Sequence, residues 1–160
     1  MQFSQYTISI KGLIIPRYEV HQGEELLYTL ARPSFFKFRL MDLKDDLGEM
    51  VVRIRQQLKL ATYRFDILED DQVRGTVSKG LFSSKLEVVS SYGDFVIKIE
   101  KFHSVYTIIR DGEEVAKVSR KRFRRKNCYG IAIKEGENDL FLLSVVLVIS
   151  WINKLRKKKN

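Results

Sequence analysis

Cysteine, proline and histidine are scarce in this chain, and each scarcity removes a class of explanation. A single cysteine, Cys128, excludes an intramolecular disulfide framework and any multi-cysteine metal site, and it is compatible with a reducing compartment. Two prolines, Pro16 and Pro33, and the absence of Ser/Gly-rich or acidic runs argue against long disordered linkers. Met1 to Tyr6 lacks the basic stretch and apolar run of a secretory signal. The longest apolar run, Leu140 to Ile152, is thirteen residues interrupted by Ser144 and Ser150, whereas a spanning helix needs about 20. A soluble, cytoplasmic protein without a transmembrane segment is expected.

Catalytic signals are equally thin. The two histidines, His21 and His103, have no metal-binding spacing and no local cysteine or histidine cluster. Ser83-Ser84 and Ser90-Ser91 fall in expected turns, without the Gly-x-Ser-x-Gly elbow that sharpens a nucleophile. The acidic pairs Asp45-Asp46 and Asp70-Asp71 also fall in turns, where solvation accounts for them. Flanking cations can lower a cysteine pKa, but for Cys128 an inert thiol at the start of the last strand is the simpler reading. No enzyme activity, cofactor or metal is expected.

What the chain does have is alternation with period two, the mark of half-buried strands. Tyr63-Arg-Phe-Asp-Ile67 and Val73-Arg-Gly-Thr-Val77 flank a turn at 68–72. Leu86-Glu-Val88 pairs with Phe95–Ile99, and Tyr106-Thr-Ile108 with Val115–Val118 through Asp111-Gly112, a strong tight-turn signal. Ile67, Val88 and Ile108 lie 21 and 20 residues apart, so the hairpins form a repeat. A weaker copy runs from Phe36-Lys-Phe-Arg-Leu40 through Asp45–Gly48 to Val51–Arg55, and an earlier one from Tyr18–Val20 to Leu27–Leu30. About twelve strands are expected between residues 6 and 134, the last being Tyr129–Ile133.

Such hairpins stack as a solenoid or close as a barrel. Closure is favoured because it removes exposed edges and because no capping repeat is visible. A twelve-stranded barrel is too wide for its own side chains to fill, so something apolar must occupy it. The segment at 139–154 is the candidate. Leu140, Phe141, Leu143, Val146, Leu147, Ile149 and Trp151 make it apolar all round, as a helix buried on every side would be. Asn138 or Asp139 suits its start, and Lys154, Arg156 and Lys157 suit its negative end. Val145, Val146, Val148 and Ile149 are β-branched and pull toward a buried strand; the helix is the expectation.

The order of repeated hairpins, then Tyr106-Thr-Ile-Ile-Arg-Asp-Gly-Glu-Glu-Val-Ala-Lys-Val-Ser-Arg-Lys121, then Tyr129-Gly-Ile-Ala-Ile133 and a terminal apolar segment resembles the tubby C-terminal-like superfamily. The likeness is to its LURP-one-related (YxjI-like) branch. It is clearest from Tyr63 to Ile152. The resemblance implies one domain over 1–160, an all-β closed barrel of about twelve strands threaded by a C-terminal helix, with a basic tail at 154–160. It also implies kinship with tubby proteins, which bind phosphoinositide head groups, and with scramblases, which act at membranes.

Formal net charge is +9, unevenly spread. Residues 1–60 hold nine basic and seven acidic residues, whereas Lys117 to Lys126 holds seven basic residues and no acid, and Lys154 to Lys159 five more. Lys117, Arg120, Lys121, Arg122, Arg124, Arg125 and Lys126 are therefore the candidate anion-binding residues, arginine offering planar, bidentate phosphate recognition. A non-catalytic module that binds anionic phospholipid or phosphoinositide, peripheral at a membrane, is the expected function. A protein–protein adaptor is the alternative, and a solvated basic loop is the plain explanation of the charge. Nucleic acid is the weaker polyanion, because only Phe123 and Tyr129 offer stacking surfaces nearby.

Overall fold

A computed structural model describes residues 2–12, 14–80, 85–100, 105–119 and 128–158. Twelve strands follow one another: β1 (Phe3–Lys11), β2 (Arg17–Gln22), β3 (Glu25–Ala31), β4 (Leu40–Asp45), β5 (Met50–Gln57) and β6 (Thr62–Glu69). They continue as β7 (Gln72–Gly80), β8 (Leu86–Ser90), β9 (Phe95–Ile99), β10 (Val105–Arg110), β11 (Glu113–Ser119) and β12 (Cys128–Lys134), and α1 (Asp139–Lys158) ends the chain. Every strand pairs antiparallel with its sequence neighbours. β1 closes on β12 from Phe3↔Lys134 to Ser9↔Cys128, giving the expected twelve-stranded barrel.

Alternation decides which side chains enter the lumen. Tyr63, Phe65 and Ile67 of β6 and Tyr129, Ile131 and Ile133 of β12 are all buried. The hairpin β10–β11 turns through Asp111 and Gly112 with φ of 52° and 79°, the left-handed pair that matches the twist of a hairpin. Asp70 and Asp71 do the same between β6 and β7 at 50° and 59°, a conformation that aspartate tolerates better than most residues.

The segment from Phe36 to Leu40 is corrected. Its alternation predicts a strand, but β4 begins only at Leu40. Residues 34–40 instead make two successive turns, closed by Lys37 N donating to the Ser34 carbonyl and Leu40 N to the Lys37 carbonyl, both at 3.2 Å. Phe35, Phe36 and Phe38 consequently stand in solvent.

The lumen is filled by α1. Phe141 through Ile152 are buried without interruption, Ser144 and Ser150 included. Those two hydroxyls stay satisfied by donating to the carbonyls one turn back, Leu140 at 2.8 Å and Val146 at 3.1 Å. Asn138 caps the start, its Oδ1 accepting from Phe141 N at 3.0 Å. Asp139 accepts a hydrogen bond from the Tyr6 hydroxyl of β1. Tertiary burial overrides the β-branched residues here. A lone central strand would leave its amide groups unpaired in an apolar lumen, whereas a helix satisfies them internally.

Gly75 of β7 marks a close fit between the barrel wall and the helix. A methyl group there would lie 2.7 and 2.8 Å from the Phe141 ring. That ring also packs on Tyr92 and Phe95, with centroids 5.0 and 6.0 Å away. At the far end of the helix, Trp151 meets Phe65 at 4.9 Å.

Candidate functional site

Up-and-down connectivity sends alternate connections to opposite ends of the barrel, so the two rims can be compared directly. One rim carries the turns after β2, β4, β6, β8 and β10 and the link from β12 into α1. These connections contain nine carboxylates and no lysine or arginine: Glu24, Asp46, Glu49, Asp70, Asp71, Asp94, Asp111, Glu135 and Glu137. The other rim carries the connections after β1, β3 and β5, where residues 12–16, 32–39 and 58–61 hold four lysines and arginines and no acid. The sequence linking β7 to β8, β9 to β10 and β11 to β12, much of it outside the described residues, adds eight more and a single acid, Glu100. Strand register and helix direction thus sort charge along the barrel axis.

The helix is aligned with this division. Its N-terminus opens at the acidic rim and its C-terminus, with Lys154 and Arg156, at the basic one, so both ends of its dipole are complemented. Lys79 points into the lumen near that C-terminus and is 4% exposed. Burial first, and then the nearby charge of Arg156, hold its ammonium below the usual lysine range. Lys79 Nζ donates to the Gly80 carbonyl at 3.3 Å.

Of the seven candidate anion-binding residues, only Lys117 is described. It lies on the outer face of β11, exposed between Thr107 of β10 and Ala132 of β12, while Val118 beside it faces the core. Arg120, Lys121, Arg122, Arg124, Arg125 and Lys126 lie outside the described residues. The chain leaves the basic rim at Ser119 and re-enters it at Cys128. Leu140 is half-buried, and Phe141, Leu143, Val146, Leu147, Ile149 and Trp151 are enclosed by the barrel.

A cavity of about 200 Å³ opens at the acidic rim, lined by Tyr92, Phe95, Arg110, Glu137, Asn138 and Phe141 among others. Its guanidinium is already engaged. Arg110 donates two hydrogen bonds to Glu137, each 2.6 Å, and lies 5.7 Å over the Phe95 ring. An incoming anion would have to displace a bidentate carboxylate, so this arrangement braces the helix entry rather than presenting a free cation.

Cys128 is half-buried, its sulfur 3.8 Å from the Ser9 hydroxyl. His21 lies half-buried in β2, and His103 lies outside the described residues. Among the described residues, no three His, Cys, Asp or Glu side chains are grouped to hold a metal ion, and no helix is long and apolar enough to cross a membrane.

Sequence reasoning missed the exposed apolar residues of the basic rim. Phe35, Phe36 and Phe38 between β3 and β4, and Leu58 and Leu60 between β5 and β6, are all exposed. The available signal was Pro33 followed by Ser34 and two adjacent phenylalanines, which breaks the period of two just before it resumes.

Among curated proteins, none matches this sequence. The fold is similar to the crystal structure of a protein from Arabidopsis thaliana, with a TM-score of 0.70 at 18% identity, over 93% of this chain and 91% of that one. The family model described as LURP-one-related matches residues 5–150, nearly the whole barrel and most of its central helix. With that match, its closed tubby-like barrel and its threaded helix, this chain belongs to the LURP-one-related family.

Proposed function

We propose that this protein is a non-catalytic module that binds anionic phospholipid head groups at a membrane surface. The binding residues are Lys117, Arg120, Lys121, Arg122, Arg124, Arg125 and Lys126, assisted by the basic tail from Lys154 to Lys159. The observation that carries this reading is the axial separation of charge, with acidic connections at one rim and basic ones at the other. A planar anionic surface would be met by the basic rim while the carboxylates stay on the opposite side, beyond a Debye length of about 8 Å at physiological salt. Each cation near such a surface contributes on the order of 1 kcal/mol, so five or six suffice for reversible recruitment.

Co-sedimentation with neutral and anionic vesicles across a salt series tests the proposal. Binding confined to anionic vesicles, falling steeply with salt and lost when Arg122, Arg124 and Arg125 are replaced by glutamate, is the expected result. Equal binding to neutral vesicles would overturn it. A stoichiometric protein partner retained through the same charge reversals would instead make the protein an adaptor.

A further inference from the structure

From the loop geometry we infer that the basic rim does more than attract lipid: its apolar loop tips enter the bilayer, so that the barrel stands end-on in an anionic membrane. This rests on the lipid-surface reading above and adds a penetrating face to it.

Three neighbouring connections build that face. The first joins β1 to β2, the second β3 to β4 and the third β5 to β6. They are adjacent around the rim because β2 pairs with β3 and β4 with β5. Gln56 N, near the end of β5, donates to the Arg39 carbonyl at 2.9 Å and ties the second connection to the strand from which the third leaves. Their tips are apolar and exposed: Ile14 84%, Phe35 67%, Phe36 84%, Phe38 56%, Leu58 69% and Leu60 99%. Side chains of this size left in water are costly singly, and together on adjacent loops they mark an interaction surface.

The charge between them selects the partner. Lys37 sits between Phe36 and Phe38, Arg39 follows Phe38 with its guanidinium 5.4 Å from that ring, and Lys59 separates Leu58 from Leu60. Residues 12–16, 32–39 and 58–61 contain no acid. Alternating cations and large apolar groups suit the boundary between head groups and acyl chains, where the cation stays with phosphate and the ring or leucine lies deeper. The acidic rim supplies the contrast. Its Leu47 is as exposed, at 80%, but stands between Asp46 and Glu49, which an anionic surface would repel.

The turns at 34–40 hold Phe35 and Phe36 outward as an edge-to-face pair 5.6 Å apart. They therefore need no rearrangement to insert.

Tryptophan quenching tests the inference in the full chain. Phe36→Trp and Leu60→Trp place reporters at the tips, while the native Trp151, 3% exposed inside the barrel, serves as the shielded control. With phosphatidylserine vesicles carrying brominated acyl chains, both variants should be quenched and the unmodified protein should not. The double variant Phe36→Ser/Leu60→Ser should weaken vesicle binding by about tenfold or more, with the larger proportional loss at high salt, where the electrostatic part is screened. Salt-sensitive binding without acyl-chain quenching would overturn insertion and leave head-group binding standing. No binding to vesicles of any composition would overturn both, and the rim would then be a docking face for a protein.

Discussion

Replacing Gly75 by alanine adds one methyl group to the lumen of the barrel, and the cost of that methyl can be worked out from its neighbours. On an unobstructed strand the exchange would stabilise by about 0.5–1 kcal/mol, because glycine loses more backbone freedom on folding. Here the added carbon would meet the Phe141 ring at 2.7 and 2.8 Å and the Ser90 Cβ at 3.0 Å, well inside normal contact. The ring has little room to retreat, since Phe141 is fully buried and packed against Tyr92 and Phe95. Overpacking costs about 1–3 kcal/mol, and contacts this short on an enclosed ring belong to the upper part of that range, about 2–3 kcal/mol, so a net loss of about 1–2.5 kcal/mol is expected after the backbone gain. For a chain of 160 residues that lowers Tm by about 3–7 °C. Thermal and urea melts of Gly75→Ala, Phe141→Leu and the double variant measure it. In the Phe141→Leu background the alanine should be neutral or favourable. An unchanged or raised Tm for Gly75→Ala alone, or strict additivity in the double variant, would refute the close fit between β7 and the helix.

Leu143→Asp or Val146→Asp places an unpaired charge in a site at most 1% exposed. A cost of about 3–5 kcal/mol is expected, a large share of a typical domain's stability, and a variant whose urea midpoint matches that of the unmodified protein would refute the burial. Asp66 is buried on the outer face, which raises its pKa, but hydrogen bonds from Arg55, Gln57 and Thr76 outweigh this and hold the carboxyl below its ordinary value of 3.8. A depressed folded pKa gives stability that is fully present above the unfolded value and lost as pH falls below it. Asp66→Asn should therefore cost about 1–3 kcal/mol at pH 7, with the difference from the unmodified protein shrinking below pH 3.8; a gap that stays constant into acid would refute the assignment. Tyr18 is fully buried and its hydroxyl finds no hydrogen-bond partner among the described residues. Tyr18→Phe should be neutral or stabilising by up to about 1 kcal/mol in urea melts, and a loss above that would reveal a bond its surroundings do not show.

The barrel was legible in the sequence where local signals agreed. From Tyr63 to Ile133 the alternation, the Asp111-Gly112 turn and the twenty-residue repeat all point to the same hairpins, and β6 to β12 occupy those places. The helix required a global argument, since Val145, Val146, Val148 and Ile149 speak locally for a strand; only the need to fill a wide lumen decides it. The stretch around Phe36 failed for the opposite reason. Three apolar residues at spacing two imitate a strand, and nothing local distinguishes a side chain facing a core from one facing a membrane or water. The charge of the basic stretch was legible as composition. Its opposition to an acidic rim was not, because that depends on which connections share an end of the closed barrel.

The order in which the parts occur along the chain constrains how they assemble. The strand that closes the barrel pairs with one whose partner residues lie more than a hundred positions away, as in Phe3 with Lys134, and the segment that fills the lumen follows that strand. Twelve strands cannot shut around a space that only α1 fills, so until the helix is in place the sheet holds two open edges and an unfilled apolar trough. Closure therefore depends on the longest-range pairing in the sheet and on docking of the helix that follows it, which makes folding slow for a barrel of this size. Truncation before Asp139 leaves a chain exposed to edge-to-edge association.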